Sequence, residues 1–135
     1  MSCSTKLPPT LVQFVYNPDY LRDTVKWSKT ISNVNVICKE INLAPKKSNI
    51  VLDGGNVTRT TDKVTMCDKV FTENPIIKEK DLTKELQELF QVDKLIFIPT
   101  HPIDFTGYAD GMVRFYNSDT VLINDFQNIP TTHYG

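Results

Sequence analysis

The 135-residue sequence has few cysteines, no single dominant charge and no long apolar run, and each shortage excludes a class of protein. Its three cysteines, Cys3, Cys38 and Cys67, are far apart and form no CxxC pair. Neither a disulfide framework nor a zinc site is expected from that spacing. Cys38 and Cys67 sit in apolar, β-branched runs, where a free thiol usually acts as a small buried hydrophobe. Fifteen Lys and Arg against sixteen Asp and Glu leave a formal charge of −1, without the net basic face that nucleic-acid binding needs. No run approaches the roughly 18–20 apolar residues that span a bilayer, so no membrane partner is expected. The start, MSCSTKLPP, lacks the apolar segment and cleavage site of a secretory leader. A cytoplasmic protein is therefore expected. GxGxxG, P-loop and HExxH patterns are also missing, and His101 and His133 are too far apart to pair locally on a metal. No metal and no cofactor are expected.

What is present reads as a folded chain: 40% hydrophobic residues, with seven Phe, five Tyr and one Trp. Residues 1–10 read as a flexible N-terminal tail and residues 11–135 as one domain. LVQFVY (11–16) has the branched and aromatic content of a strand. Asn17 then offers an N-cap and Pro18 a first helical position. Val34, Val36 and Cys38 alternate, which predicts a half-buried strand over 33–41. A short strand over 49–52 runs into Asp53, Gly54, Gly55 and Asn56. Residues 57–59 and 63–71 read as a strand pair. Leu82, Leu86, Leu89 and Phe90 form a helical stripe over 81–91, with Asp81 as N-cap. KLIFIP (94–99) has the continuous apolar pattern of a fully buried strand. Strands over 112–116 and 120–124 follow, joined by a turn at 117–119. The unit beginning near residue 57 is thus β-β-α-β, in an α/β or α+β chain.

Two glycine-containing turns at strand ends could carry chemistry. At Asp53, Gly54, Gly55 and Asn56 the plain alternative is a tight turn capped by an acid. In the second, Gly107, Tyr108, Ala109, Asp110 and Gly111 precede a strand bearing Arg114. Asp110 could grip a guanidinium through paired, charge-assisted hydrogen bonds, or could simply pair with Arg114. The spacing leaves both open.

Several motifs in fixed order resemble the agmatine deiminase and bacterial peptidylarginine deiminase family. They are FVYNPDYLRD (14–23), VLDGGNV (51–57), DKVFTENP (68–75), LIFIP (95–99) and FTGYADGMVRFYNSDTVLIND (105–125). The family belongs to the guanidino-group modifying superfamily, so the resemblance implies a propeller of five ββαβ units. This chain has room for about two to three such units, a partial α/β-propeller. The implied reaction attacks the guanidinium carbon with a Cys thiolate and releases ammonia. A His serves as acid and base, and carboxylates orient the guanidinium.

Carried over by position, Asp110 matches a guanidinium-binding carboxylate, and Asp53 is the second acidic candidate. Tyr108 stands where the family has its His, and a phenol with a reference pKa near about 10 is a poor proton shuttle at neutral pH. The family's upstream Trp-x-Arg-Asp segment and its C-terminal Cys have no counterpart among residues 1–135. The expected function is that of a truncated, catalytically inactive deiminase-like domain that binds protein in an inhibitor, immunity-type or assembly role. Two alternatives stand beside it: a deiminase completed by another chain, and a guanidino-compound binding module. Open blades expose strand edges and apolar faces, so a homodimer or another covering protein is expected, with guanidino compounds as further partners.

Overall fold

The structure, a computed structural model, describes residues 10–125. Cys3, His133 and all of the expected tail except Thr10 lie outside the described residues. The contacts fall into two compact units, one ending at Asp53 and the other starting at Gly54.

In the first unit, β1 (Val12–Val15) pairs in parallel with β2 (Lys46–Val51). Parallel neighbours need a crossover. Three short helices supply it: α1 (Asp19–Arg22), α2 (Val25–Ser28) and α3 (Val34–Glu40). Pro18 precedes α1 in extended conformation, so the helix begins one residue later than the Asn17 cap would place it. The strand expected over 33–41 is helix α3. Val34, Ile37, Cys38 and Ile41 also recur at i, i+3, i+4 and i+7, and the ends decide between the two periods. Asn33 caps the start, its Oδ1 accepting from the Val36 N–H at 3.3 Å. Asn42 stops it in the left-handed region at φ 55°, with Leu43 N–H donating to Cys38 O at 2.8 Å. That is the Schellman closure, which Asn tolerates better than most residues.

The second unit carries the β-β-α-β order. β3 (Thr58–Arg59) runs antiparallel to β4 (Lys63–Cys67), and β4 pairs in parallel with β5 (Lys94–Ile98). Helices α4 (Lys69–Glu73) and α5 (Glu79–Phe90) make the crossover. The strand expected over 63–71 ends at Cys67. There Asp68 turns the chain, its Oδ1 accepting from the N–H and hydroxyl of Thr100 at 2.9 and 2.7 Å.

α5 starts two residues earlier than the stripe suggested. Asp81 is therefore not its cap; it lies with Glu79 in the first turn, where negative charge suits the helix dipole. Leu82 and Leu86 are fully buried, and Leu89 and Phe90 partly so. The central strand β4 holds the core, with Val64, Met66 and Cys67 inaccessible. β5 is only half-buried, because it lies at the edge of a three-stranded sheet and does not reach the full burial its composition suggested. An antiparallel hairpin closes the described chain: β6 (Val113–Phe115) and β7 (Val121–Ile123). The fold is mixed α/β with small sheets. Among the described residues, no helix is long and apolar enough to cross a membrane.

Candidate functional site

Asp53 ends the first unit and is buried. Its charge helps raise the Tyr16 phenol, pushed up to about 12 first by a hydrogen bond with Tyr20 and then by burial. Gly54, Gly55 and Asn56 form a single tight turn in the second unit. Asn56 is buried and holds both backbone groups of Cys67: its Oδ1 accepts from the N–H at 2.7 Å, and its Nδ2 donates to the carbonyl at 3.4 Å. The amide side chain thus extends the ladder to Cys67, opposite the turn that precedes β3.

The second turn is organised by Asp104. Its Oδ1 accepts from the N–H and the hydroxyl of Thr106, both at 2.9 Å, and its Oδ2 from the Tyr108 N–H at 3.3 Å. Desolvation pushes this carboxyl up, but the combined donors from Thr106, Gly107 and Tyr108 prevail and hold it below the usual carboxylate value. Gly107 has φ +66°, and a Cβ there would come within 2.9 Å of the Thr100 methyl and 3.0 Å of Lys69 Cδ. Lys69 is buried, and its Nζ donates to Thr106 O at 2.7 Å, pairs with Glu73 at 3.5 Å and lies 5.8 Å from the centre of the Tyr108 ring. The turn carrying Tyr108 is held from below by a buried cation.

Tyr108 lies directly on the first turn. A Cβ on Gly55 would sit 2.3 Å from Tyr108 Cδ2, so only glycine leaves room for the ring. Asp110 is partly exposed on the next tight turn, and Arg114 reaches back to it. Arg114 Nε donates to the Asp110 carbonyl at 3.1 Å, and its Nη2 stands 3.8 Å from Asp110 Oδ2. The pair is solvent-facing, with side chains 68% and 38% exposed, and a contact of this kind is weak enough for a ligand to displace. Gly111, exposed, accepts from the Asn124 amide through its carbonyl. Ala109 and Met112 pack with Cys67 in a small core beneath the turn.

Of the residues singled out in the sequence, the second unit brings Gly55 against Tyr108 and Arg114 onto Asp110. Asn56 serves the backbone of β4. Asp104 and Lys69 were missed. An Asp two residues before a Thr is a recognisable turn signature, whereas nothing local marks Lys69 as buried. Burial pushes the Cys67 thiol up to about 11, with Asp68 and Asp104 adding to it, so this thiol is no nucleophile at neutral pH. Among the described residues, no group of three His, Cys, Asp or Glu could hold a metal.

Comparison with known proteins agrees with the motif order. The family model described as Porphyromonas-type peptidyl-arginine deiminase matches residues 3–135. Among curated proteins, none matches significantly. The solved agmatine deiminase of C. jejuni with substrate bound is similar at 18% identity and a TM-score of 0.64, over 82% of this chain and 35% of that one. The agmatine deiminase of Enterococcus faecalis is similar at 17% identity and a TM-score of 0.66, over 87% and 36%. These likenesses show a shared fold, and the chain spans about a third of the length of those proteins. With the family model covering nearly every residue, the chain belongs to the Porphyromonas-type peptidyl-arginine deiminase family.

Proposed function

We propose that this chain is a deiminase-family domain, built as part of an α/β-propeller, that works by binding protein and does not hydrolyse a guanidinium with its own residues. The observation that carries the reading is Tyr108. It occupies the position where the resemblance implies the acid and base histidine, and its ring is packed onto Gly55 by close steric fit. A phenol so placed fills space and does not relay protons. Cys67 supplies no nucleophile there, since it is buried beneath the turn with a raised pKa.

Large apolar side chains stand in solvent on the second unit, including Ile103 at 74%, Phe105 at 77% and Ile123 at 74% exposure. A covering protein surface is the natural use of such residues, and a second copy of the chain is the simplest one. Sedimentation velocity from about 1 to about 100 µM tests this: a concentration-dependent dimer is expected, and a clean monomer throughout would contradict it.

The accessibility of Asp110 favours a second reading, capture of a guanidino compound that displaces Arg114. Calorimetry with agmatine, arginine and a short Arg peptide would show heat lost on Asp110→Ala if that reading holds.

A further inference from the structure

Asp62 and Asp68 bracket β4, and the same bracket recurs around β7: DKVTMCD (62–68) against DTVLIND (119–125). The structure around the two segments repeats as well. A tight turn precedes each hairpin, at 54–56 and 109–111. At the tips, Thr60 N–H donates to Lys63 O at 2.9 Å, and Tyr116 N–H donates to Thr120 O at 2.9 Å. At the open ends, Asn56 bridges to Cys67, and Asn124 N–H donates to Met112 O at 2.9 Å. The β6–β7 hairpin thus repeats the β3–β4 hairpin.

The two differ in what lies beside them. β4 carries β5 along its outer edge and is buried from Val64 to Cys67. Among the described residues β7 pairs with β6 alone, and Val121, Leu122 and Ile123 are 42%, 57% and 74% exposed. A two-stranded hairpin is marginal in water, and its open edge is a template for a third strand. The bonds at its two ends make Arg114 and Leu122 a hydrogen-bonded pair. By ladder alternation, the N–H and C=O groups of Val121 and Ile123 therefore point away from β6. Val64 and Met66 hold the same places in β4, and theirs face β5.

The bracket around β4 shows how a third strand is gripped. Asp62 O accepts from the N–H groups of Asp93 and Lys94 at 2.9 and 3.2 Å, where β5 begins. Asp68 N–H donates to Ile98 O at 2.9 Å, where β5 ends. The Asp68 carboxylate then takes the N–H and hydroxyl of Thr100, just past the strand. The gripped segment reads KLIFIPT (94–100): a base, an apolar run, a spacer and a threonine. Asp119 and Asp125 repeat the bracket, and no base stands between them, so a basic strand start meets opposite charge. We propose that the outer edge of β7 docks a strand of a partner polypeptide, parallel to β7 and patterned as β5 is, with a Thr or Ser clasped by Asp125. In such strand addition the main chain supplies affinity and the side chains specificity. The inference deepens the protein-binding role proposed above and rests on it.

Two-dimensional NMR of the ¹⁵N-labelled full chain tests it, with the blocked peptide KLIFIPTH (94–101) as probe. Saturable shifts are expected over 119–125, with slowed hydrogen exchange at the N–H groups of Val121 and Ile123. A spin label at the N-terminus of the peptide should broaden Thr120, and one at its C-terminus Asn124. Replacing the threonine of the peptide by valine should weaken binding about tenfold, and so should Asp125→Asn in the chain. Ile123→Pro should abolish binding and keep the hairpin, because the N–H it removes points outward. No saturable shift up to about 1 mM, shifts confined to 63–67, the reversed label pattern, or undiminished binding in any of these variants would overturn the proposal. A concentration-dependent dimer beside such a result leaves protein binding standing, whereas a monomer without any peptide response removes both.

Discussion

Replacing Gly55 with alanine tests the contact on which the reading of Tyr108 rests. The new methyl carbon would stand 2.3, 2.7 and 2.9 Å from Cδ2, Cε2 and Cγ of the Tyr108 ring. Comfortable carbon–carbon separation is about 3.5–4.0 Å. Because Cγ is the root of the ring, turning the ring about the Cβ–Cγ bond cannot clear the clash, and the turn must shift or the whole ring must swing to another rotamer. Overpacking of this sort costs about 1–3 kcal/mol. Gly55 is not in the left-handed region, so alanine also recovers about 0.4–1 kcal/mol by restricting the unfolded chain. The net expectation for Gly55→Ala is a loss of about 1–2 kcal/mol. Gly54 provides the internal control, since a Cβ there meets nothing within 4 Å. Gly54→Ala should be neutral or stabilising by up to about 1 kcal/mol. Urea unfolding of both variants, each also made in a Tyr108→Ala background, completes the cycle. The Gly55 penalty should largely vanish without the ring, a coupling of about 1–3 kcal/mol. Equal stabilities for the two glycine variants, or a Gly55 penalty unchanged in the Tyr108→Ala background, would refute the packing.

Leu86→Ala, at a fully buried position of α5, should cost about 2–5 kcal/mol in a urea melt, and a change under about half a kcal/mol would remove that helix from the core. Lys69→Met leaves Glu73 with its side chain only 5% exposed and without this cation, and should cost about 3–5 kcal/mol. Adding Glu73→Leu should restore much of that loss. The carboxyl of Asp104 titrates below its ordinary value of 3.8 in the folded chain, so its contribution is complete above about that pH and fades as pH falls through the folded value. Asp104→Asn should therefore flatten the acid limb of a stability-versus-pH curve below about pH 4 and leave its neutral shape unchanged.

The second unit was the more legible half because its patterns are unambiguous. Leu82, Leu86, Leu89 and Phe90 allow only one helical face, and the β-β-α-β order follows from the runs on either side. The error at 33–41 arose where two periods coincide. Val34, Val36 and Cys38 satisfy alternation, while Val34, Ile37, Cys38 and Ile41 satisfy a helix. The capping residues Asn33 and Asn42 decide the matter, and both stand in the sequence at the ends of the helix. The partial exposure of β5 could not be read from KLIFIP, because burial depends on how many strands pair with it. At the site, the four-residue spacing of Asp110 and Arg114 allows a pair, and they form one. The Gly55–Tyr108 contact spans 53 positions of sequence (108 − 55), so no local pattern encodes it. Lys69 was illegible for a similar reason: its burial depends on Thr106 and Glu73 meeting its ammonium and Gly107 lying against its methylene stem.

Ammonia release is the most direct measurement of whether Tyr108 has replaced a catalytic group. Agmatine, free arginine and a peptidylarginine substrate, each incubated with the purified chain, should yield no ammonia above the protein-free control. Tyr108→His should not restore release, because an acid and base without a nearby thiolate has no covalent intermediate to resolve. Ammonia release that follows the protein through purification and disappears on Asp110→Ala would contradict the binding role and make the chain a working deiminase.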